Sequence, residues 1–442
     1  MNRISSYVRG QWRHLRGPAG REFTWLTGGS QVEVLLSQLA VILVVRMSSE
    51  DEAGQLFFAL AITATVFMLI DPRLEDSIQR YVPQLRERNS DYRSFFWTLV
   101  LLDLVLGLVA ILVSVAVWAA GVVQQTTLVN PTFLLLSVII SGTVSALGSL
   151  NAGFATSGRL TSLARVRTAL AVVNAAFSIG GLLIAGVTGF LVGSAISSFV
   201  AIVVTASYCT RLISPRNLSL RRFRTERPTG IGAFTIKSSL ATSLATGGDS
   251  GVLAVAGLSG GPGLVVFLKL AMAPGRFLYT AFSAIPAQAF PRISNLAAQK
   301  DGLGVSRLCK SVTRRVAGPL AAAALLGAIA MPFLLPLVYG SEYRSASVAA
   351  GIFLAGGAIR AAVAWSKVLP LAVGRPALRL ISVAVEAAAM ILAAWVVPQL
   401  VTNLAVASAI IAIIALFTTA ALATAWLRFI SAKRLSQTVG NA

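Results

Sequence analysis

The sequence predicts an all-α polytopic membrane protein: twelve transmembrane helices in two six-helix lobes related by a parallel repeat. Three observations predict it. Of 442 residues, 56% are hydrophobic and only 12% are charged, too few charges to coat a soluble globule of that length. Mean hydropathy is +0.79, yet the formal net charge is +21. Finally, 30 of the 37 Lys and Arg fall in seven short belts, separated by apolar stretches of the roughly 20 residues that cross a bilayer at 1.5 Å per residue.

The spans are read at about 25–45, 54–81, 94–120, 132–155, 168–188, 190–209, 236–257, 263–287, 315–337, 346–370, 380–398 and 403–427. Arg3, Arg9, Arg13, Arg16 and Arg21 precede the first, and the acidic turn Glu50-Asp51-Glu52 leads into the second. Arg80, Arg86, Arg88 and Arg93 separate the second from the third; Arg159, Arg165 and Arg167 follow the fourth. The fifth and sixth turn at Gly189. Seven cations from Arg211 to Lys237 close the first set of six. The seventh and eighth turn at Gly260, and six cations from Arg292 to Arg315 lead into the ninth. A turn at Tyr343 opens the tenth, Arg375 and Arg379 precede the eleventh, and Arg428, Lys433 and Arg434 follow the twelfth. The opposite loops hold only Arg46 and Arg344, beside Glu50, Asp51, Glu52 and Glu342. Belts after every second span predict a multi-pass protein of a bacterial or archaeal cytoplasmic membrane, with both ends inside. Helices rather than barrel strands are expected, because lipid offers no partner to unpaired backbone groups. The organisation expected is a basic N-terminus 1–24, an N-lobe 25–209, a basic linker 210–235, a C-lobe 236–427 and a tail 428–442.

Several absences narrow the class. No cleavable signal precedes the first span. Cys209 and Cys309 lie near the cytoplasmic side, where thiols stay reduced, so no disulfide framework is implied. The one histidine, His14, sits in the basic N-terminal segment, which leaves no histidine-based metal site or Ser-His triad within the membrane. No P-loop pattern occurs, so energy comes from an ion gradient or from the substrate's own gradient. The basic loops flank spans on one side only and fit anionic lipid headgroups rather than nucleic acid.

Echoes between the halves support a duplication. Ala53-Gly54-Gln55-Leu56-Phe57-Phe58 opens the second span and Pro262-Gly263-Leu264-Val265-Val266-Phe267 the eighth. Those spans close on Tyr81-Val82-Pro83-Gln84-Leu85 and Phe290-Pro291-Arg292-Ile293, and Ser157-Gly158-Arg159 is echoed by Val373-Gly374-Arg375. Six is even, so the halves repeat in parallel, and substrate sites in such folds lie between repeats. Four stretches carry a family resemblance: Glu52 to Phe57, Asp76 to Pro83, Ala289 to Ser294, and Val338 to Tyr343. In these the chain resembles the lipid-linked oligosaccharide (O-antigen type) flippases of the multidrug/oligosaccharidyl-lipid/polysaccharide exporter superfamily. The resemblance implies a polyprenyl-diphosphate-linked oligosaccharide as substrate and alternating access between two lobes. It also implies a polysaccharide polymerase and glycosyltransferases as partners, and no cofactor beyond a coupling Na⁺ or H⁺.

Five cations fall inside the spans: Arg73, Lys269, Arg276, Arg360 and Lys367. Charge at that depth is costly and marks function or pairing. Lys269 and Arg276 are seven apart, as are Arg360 and Lys367, so each pair shares a helical face. Arg276 and Arg360 each fall about 20 Å from the outer end of their helix, in the half a substrate made inside would enter. Pro274-Gly275 is expected to kink or unwind the span beside Arg276. A guanidinium gives phosphate a bidentate, permanent charge; the competing reading pairs these cations with intramembrane carboxylates, or lets Lys367 snorkel to the interface. Acids available for coupling or gating are Glu33, Asp71 and Asp103 in the first half, with Asp249 and Glu386 in the second. Pro72 is expected to bend the helix between Asp71 and Arg73. Asp249 either binds Na⁺ or a proton, or neutralises Arg276 or Lys269. Trp365 and Tyr279 either stack on sugar rings or pack.

Two other readings compete. A multidrug exporter of the same superfamily shares the topology, but its usual cationic substrates would be repelled by a cavity rich in Arg and Lys. A membrane glycosyltransferase would use Glu50-Asp51-Glu52 as an acidic motif, yet it needs a long outer loop, and none here exceeds about a dozen residues.

Overall fold

The computed structural model describes residues 18–70, 74–87, 91–119, 129–214, 231–282, 289, 293, 295–297, 299, 301–373 and 376–431. Among them the regular structure is entirely helical. In chain order the helices are α1 Pro18–Met47, α2 Glu50–Ile70, α3 Leu74–Glu87, α4 Tyr92–Ala119, α5 Pro131–Thr156 and α6 Leu160–Leu212. There follow α7 Ile231–Ala281, α8 Gly302–Tyr339, α9 Ser347–Ala362, α10 Pro376–Leu400 and α11 Leu404–Ser431. Eight helices among the described residues are long and apolar enough to cross a membrane. Their outward side chains are greasy: Ile184 is 88% exposed, Leu400 77%, Phe333 74% and Phe417 70%. Lipid is the solvent this surface fits. The chain is a polytopic all-α membrane protein.

Two elements are too long for one crossing. At 1.5 Å per residue the 53 residues of α6 would run about 80 Å, against about 30 Å of hydrocarbon. The chain therefore folds back, at Ala185 (φ −137, ψ 26) and Gly186 (φ 62, ψ −147), three residues before the turn expected at Gly189. The positive φ at Gly186 is one that L side chains rarely adopt. The returning arm packs backbone to backbone. A Cβ on Gly181 would overlap the Gly189 carbonyl, and one on Gly193 the Phe177 carbonyl, the close approach that small residues permit between helices in lipid. The second long element, α7, folds back at Gly261 (φ 79, ψ 176), directly before Pro262. Each of the twelve expected spans thus has α-helix among its described residues.

Three expectations are corrected in detail. The second span does not run to 81: α2 ends at Ile70 and α3 starts afresh at Leu74, with 71–73 outside the described residues. The reason was visible in its period. Leu74, Ser77, Ile78, Tyr81, Val82 and Leu85 are buried while Gln79, Arg80, Gln84, Arg86 and Glu87 are exposed, the one-sided pattern of an interfacial helix. The tenth span is likewise interrupted. After α9 the chain leaves helical geometry at Val363 (φ −110, ψ 24) and tightens into a 3-10 turn, Ala364–Lys367. That turn buries Trp365 completely, its Nε1 donating to Thr313 Oγ1 at 2.8 Å and Thr313 donating to the Ala362 carbonyl at 3.0 Å. Trp365 is therefore a packing residue, not a sugar platform. Finally, Pro274 does not unwind its helix, since only Gly261 departs from helical angles within α7.

The described residues form two compact units. One takes those within 1–47 and 69–239: α1 and α5 pack on α6, α4 packs on α5, and α3 lies across α4 and α5. Its core includes Ile78, Phe96, Leu150, Phe154 and Cys209. The other takes those within 48–68 and 240–442: α8 and α11 pack on α9, and α10 packs on α11. Its core includes Ile293, Val305, Cys309, Trp365 and Leu369. Although α2 comes early in the chain, it packs on the corner of α7. A Cβ on Gly54 would stand 2.5 Å from the Pro262 carbonyl oxygen, so the two segments that echo one another in sequence are in contact.

Candidate functional site

The charges gather in the second unit, and a glycine crossing puts them there. A Cβ on Gly275 of α7 would overlap the Phe353 carbonyl of α9, and one on Gly357 of α9 would overlap the Gly275 carbonyl. The two backbones therefore touch. Arg276 is one residue beyond the contact on α7 and Arg360 three beyond it on α9, so the crossing sets both guanidiniums at one level. Gly275, beside Pro274, serves that close approach.

Both arginines are paired. Arg276 donates Nε and Nη2 to Asp249 Oδ2 at 2.9 and 2.7 Å. Arg360 donates Nε and Nη2 to Glu386 Oε1 at 2.9 and 2.6 Å, and the Thr419 hydroxyl donates to the same oxygen at 3.1 Å. Side-chain exposures are 37% and 35% for the first pair and 36% and 25% for the second. The pairs also feel one another, because Asp249 lies in the field of Arg360 as well as of Lys269. The carboxylate-pairing alternative is the arrangement observed.

The lysines differ. Lys269 Nζ stands 5.7 Å from the Phe57 ring centroid, and Lys367 Nζ stands 4.4 Å from the Tyr279 ring centroid. Among the described residues neither ammonium forms an ion pair; each rests on the negative face of an aromatic ring. Lys269 is half-buried and Lys367 exposed. Among the described residues, four cations against two acids leave the cluster two positive charges in excess.

The remaining expected residues lie elsewhere. In the first unit Glu33 of α1 pairs with Arg167 of α6 at 2.7 Å, both side chains above 40% exposed. Asp103 of α4 is buried and accepts from Ser149 Oγ of α5 at 2.5 Å. Asp71, Pro72 and Arg73 lie outside the described residues, as does His14. Sequence reasoning missed Phe57, Thr419 and the Gly275–Gly357 crossing. Phe57 and Gly357 lie in an echo and in a Gly-Gly pair, yet nothing local says which helix they meet. Among the described residues no group of three His, Cys, Asp or Glu is placed to hold a metal ion.

No family model matches the chain, and no curated protein matches it. Solved structures do, and they define its fold as that of the MATE-type transporters of the MOP superfamily. An inward-facing multidrug resistance MATE family transporter superposes with a TM-score of 0.63 at 13% identity, over 92% of this chain and 95% of that one. An outward-facing form gives 0.62 at 13% identity, over 97% and 98%. A MOP superfamily transporter from Pyrococcus furiosus, described as having a binding pocket whose reverse polarity suggests a different function, gives 0.60 at 14% identity, over 96% and 97%. At such identities the likeness is one of fold.

Proposed function

We propose that the chain is a transporter, not an enzyme, that moves a polyprenyl-diphosphate-linked oligosaccharide from the cytoplasmic to the outer leaflet by alternating access, for cell-surface polysaccharide synthesis. The observation that carries this reading is the positive excess of the cluster formed by Lys269, Arg276, Arg360 and Lys367 against Asp249 and Glu386. An anionic headgroup is attracted there and an organic cation repelled. The fold is one whose solved members are named as transporters, and the Pyrococcus furiosus member with its reversed pocket is in keeping with a change of cargo on this scaffold. Coupling to Na⁺ or H⁺ would act at Asp249 or Glu386. Each carboxylate is bound to an arginine, so an ion arriving there loosens a pair beside the cargo.

A multidrug exporter is the second reading, favoured by the names of the neighbouring structures. Proteoliposomes separate the two. A fluorescent polyprenyl diphosphate should exchange leaflets only when the protein is present, while a quaternary-ammonium dye should not move. Transport of the dye without the diphosphate would establish the second reading instead.

The proposed orientation, both ends inside, has its own check. In a cysteine-free background Ile184→Cys and Arg344→Cys should react with an impermeant thiol reagent from outside intact cells. Both positions are exposed, whereas Tyr343, the residue first marking that turn, is buried. Arg211→Cys, at the end of α6, should react only after permeabilisation. The opposite pattern inverts the topology.

A further inference from the structure

We infer that the two lysines, not the two arginines, carry the anionic cargo, at two successive stations along α7. This rests on the transporter reading above and names the residues within it. Arg276 and Arg360 each commit two N–H donors to a carboxylate, so their charge is compensated locally. Lys269 and Lys367 sit on the rings of Phe57 and Tyr279, and a ring leaves the ammonium its full charge and free N–H donors toward a further acceptor. The excess charge of the cluster therefore resides on the lysines.

Their spacing separates two tasks. Tyr279, under Lys367, follows Lys269 by ten residues, about 15 Å along the helix, farther than one diphosphate bridges. Lys367 is exposed on the 3-10 turn past α9; Lys269 is half-buried, on the far side of the Asp249–Arg276 pair. An anion meets Lys367 first and Lys269 after passing that pair. Lys367 is the capture station and Lys269 the station that governs passage.

The experiment is flipping of the fluorescent polyprenyl diphosphate in proteoliposomes, with thermal unfolding of every variant. Lys269→Gln should lower the maximal rate about tenfold or more, the loss expected for one charge-assisted contact, with an unchanged unfolding midpoint. Lys269→Met repeats the test with a neutral chain of similar length, and Lys269→Arg should keep most of the rate. Lys367→Gln should raise the lipid fraction at half-maximal rate several-fold while keeping the maximal rate. The double variant Arg360→Gln/Glu386→Gln, which removes a pair and no net charge, should lose less of the maximal rate than Lys269→Gln when no ion gradient is imposed. Wild-type rates in the lysine variants, or loss of flipping in the pair-deleted variant alone, would overturn the assignment while leaving the transporter reading intact. A wild-type protein that moves no diphosphate lipid overturns the lipid-linked cargo itself.

Discussion

Glu386→Gln should destabilise the protein by about 2–4 kcal/mol. Breaking one side of a buried ion pair costs about 3–5 kcal/mol, and the partial exposure of Arg360 and Glu386, 36% and 25%, screens part of that. The physical cause is the charge left behind. Arg360 would keep its position on α9, fixed by the glycine crossing, but would face an amide that accepts a hydrogen bond without neutralising a cation. Thr419, which donates to the same Oε1, offers no compensation. Adding Arg360→Gln should recover most of the loss, since two neutral side chains of similar reach replace the pair. The measurement is thermal unfolding in detergent across the single and double variants; additive losses would show that the two residues act independently. The same logic holds for Arg276→Ala, which strands Asp249, so a fall in transport there reports on folding before it reports on cargo.

The second large effect comes from adjacent glycines with opposite surroundings. Gly357→Ala should cost about 1–3 kcal/mol, the usual range for overpacking, because the new Cβ meets the Gly275 backbone rather than a yielding side chain. Gly356→Ala should be neutral or stabilising by up to about 1 kcal/mol, the helix-propensity gain of alanine over glycine, because nothing stands within 4 Å of its Cβ. Backbone conformation and intrinsic propensity are the same at the two sites, so the difference isolates the helix crossing. Gly357→Ala should also reduce flipping beyond its stability loss, because the crossing sets α7, which bears Lys269, against α9, which leads into the turn bearing Lys367. Equal behaviour of the two variants would remove the crossing from the account.

How much of this was legible follows from which forces act locally. Spans could be read because lipid selects long apolar stretches, and belts because charge is excluded from the bilayer; both operate on residues near in sequence. The interfacial helix α3 carried its signal in a 3.6-residue period, but the apolar residues of 54–81 masked it as a continuation of the span. The fold-back at Gly261-Pro262 was legible from residue type. The one at Gly186 fell inside a run with four other glycines from Gly180 to Gly193, where no local rule chooses the residue with positive φ.

The site shows the same division more sharply. The sequence by itself determined that cations lie at depth in the second half, that Lys269 and Arg276 share a face, and that Asp249 and Glu386 are the acids available to them. It did not determine partners. Asp249 and Arg276 are 27 residues apart and Arg360 and Glu386 are 26 apart, on different helices, and a pairing depends on how those helices cross. Only the tertiary structure decided that both arginines meet carboxylates while both lysines meet rings. The reason is steric before it is electrostatic: the contact of Gly275 with Gly357 sets the depth and rotation of α7 against α9. With that geometry held by backbone atoms, the charges could pair only with what the neighbouring helices presented at the same level.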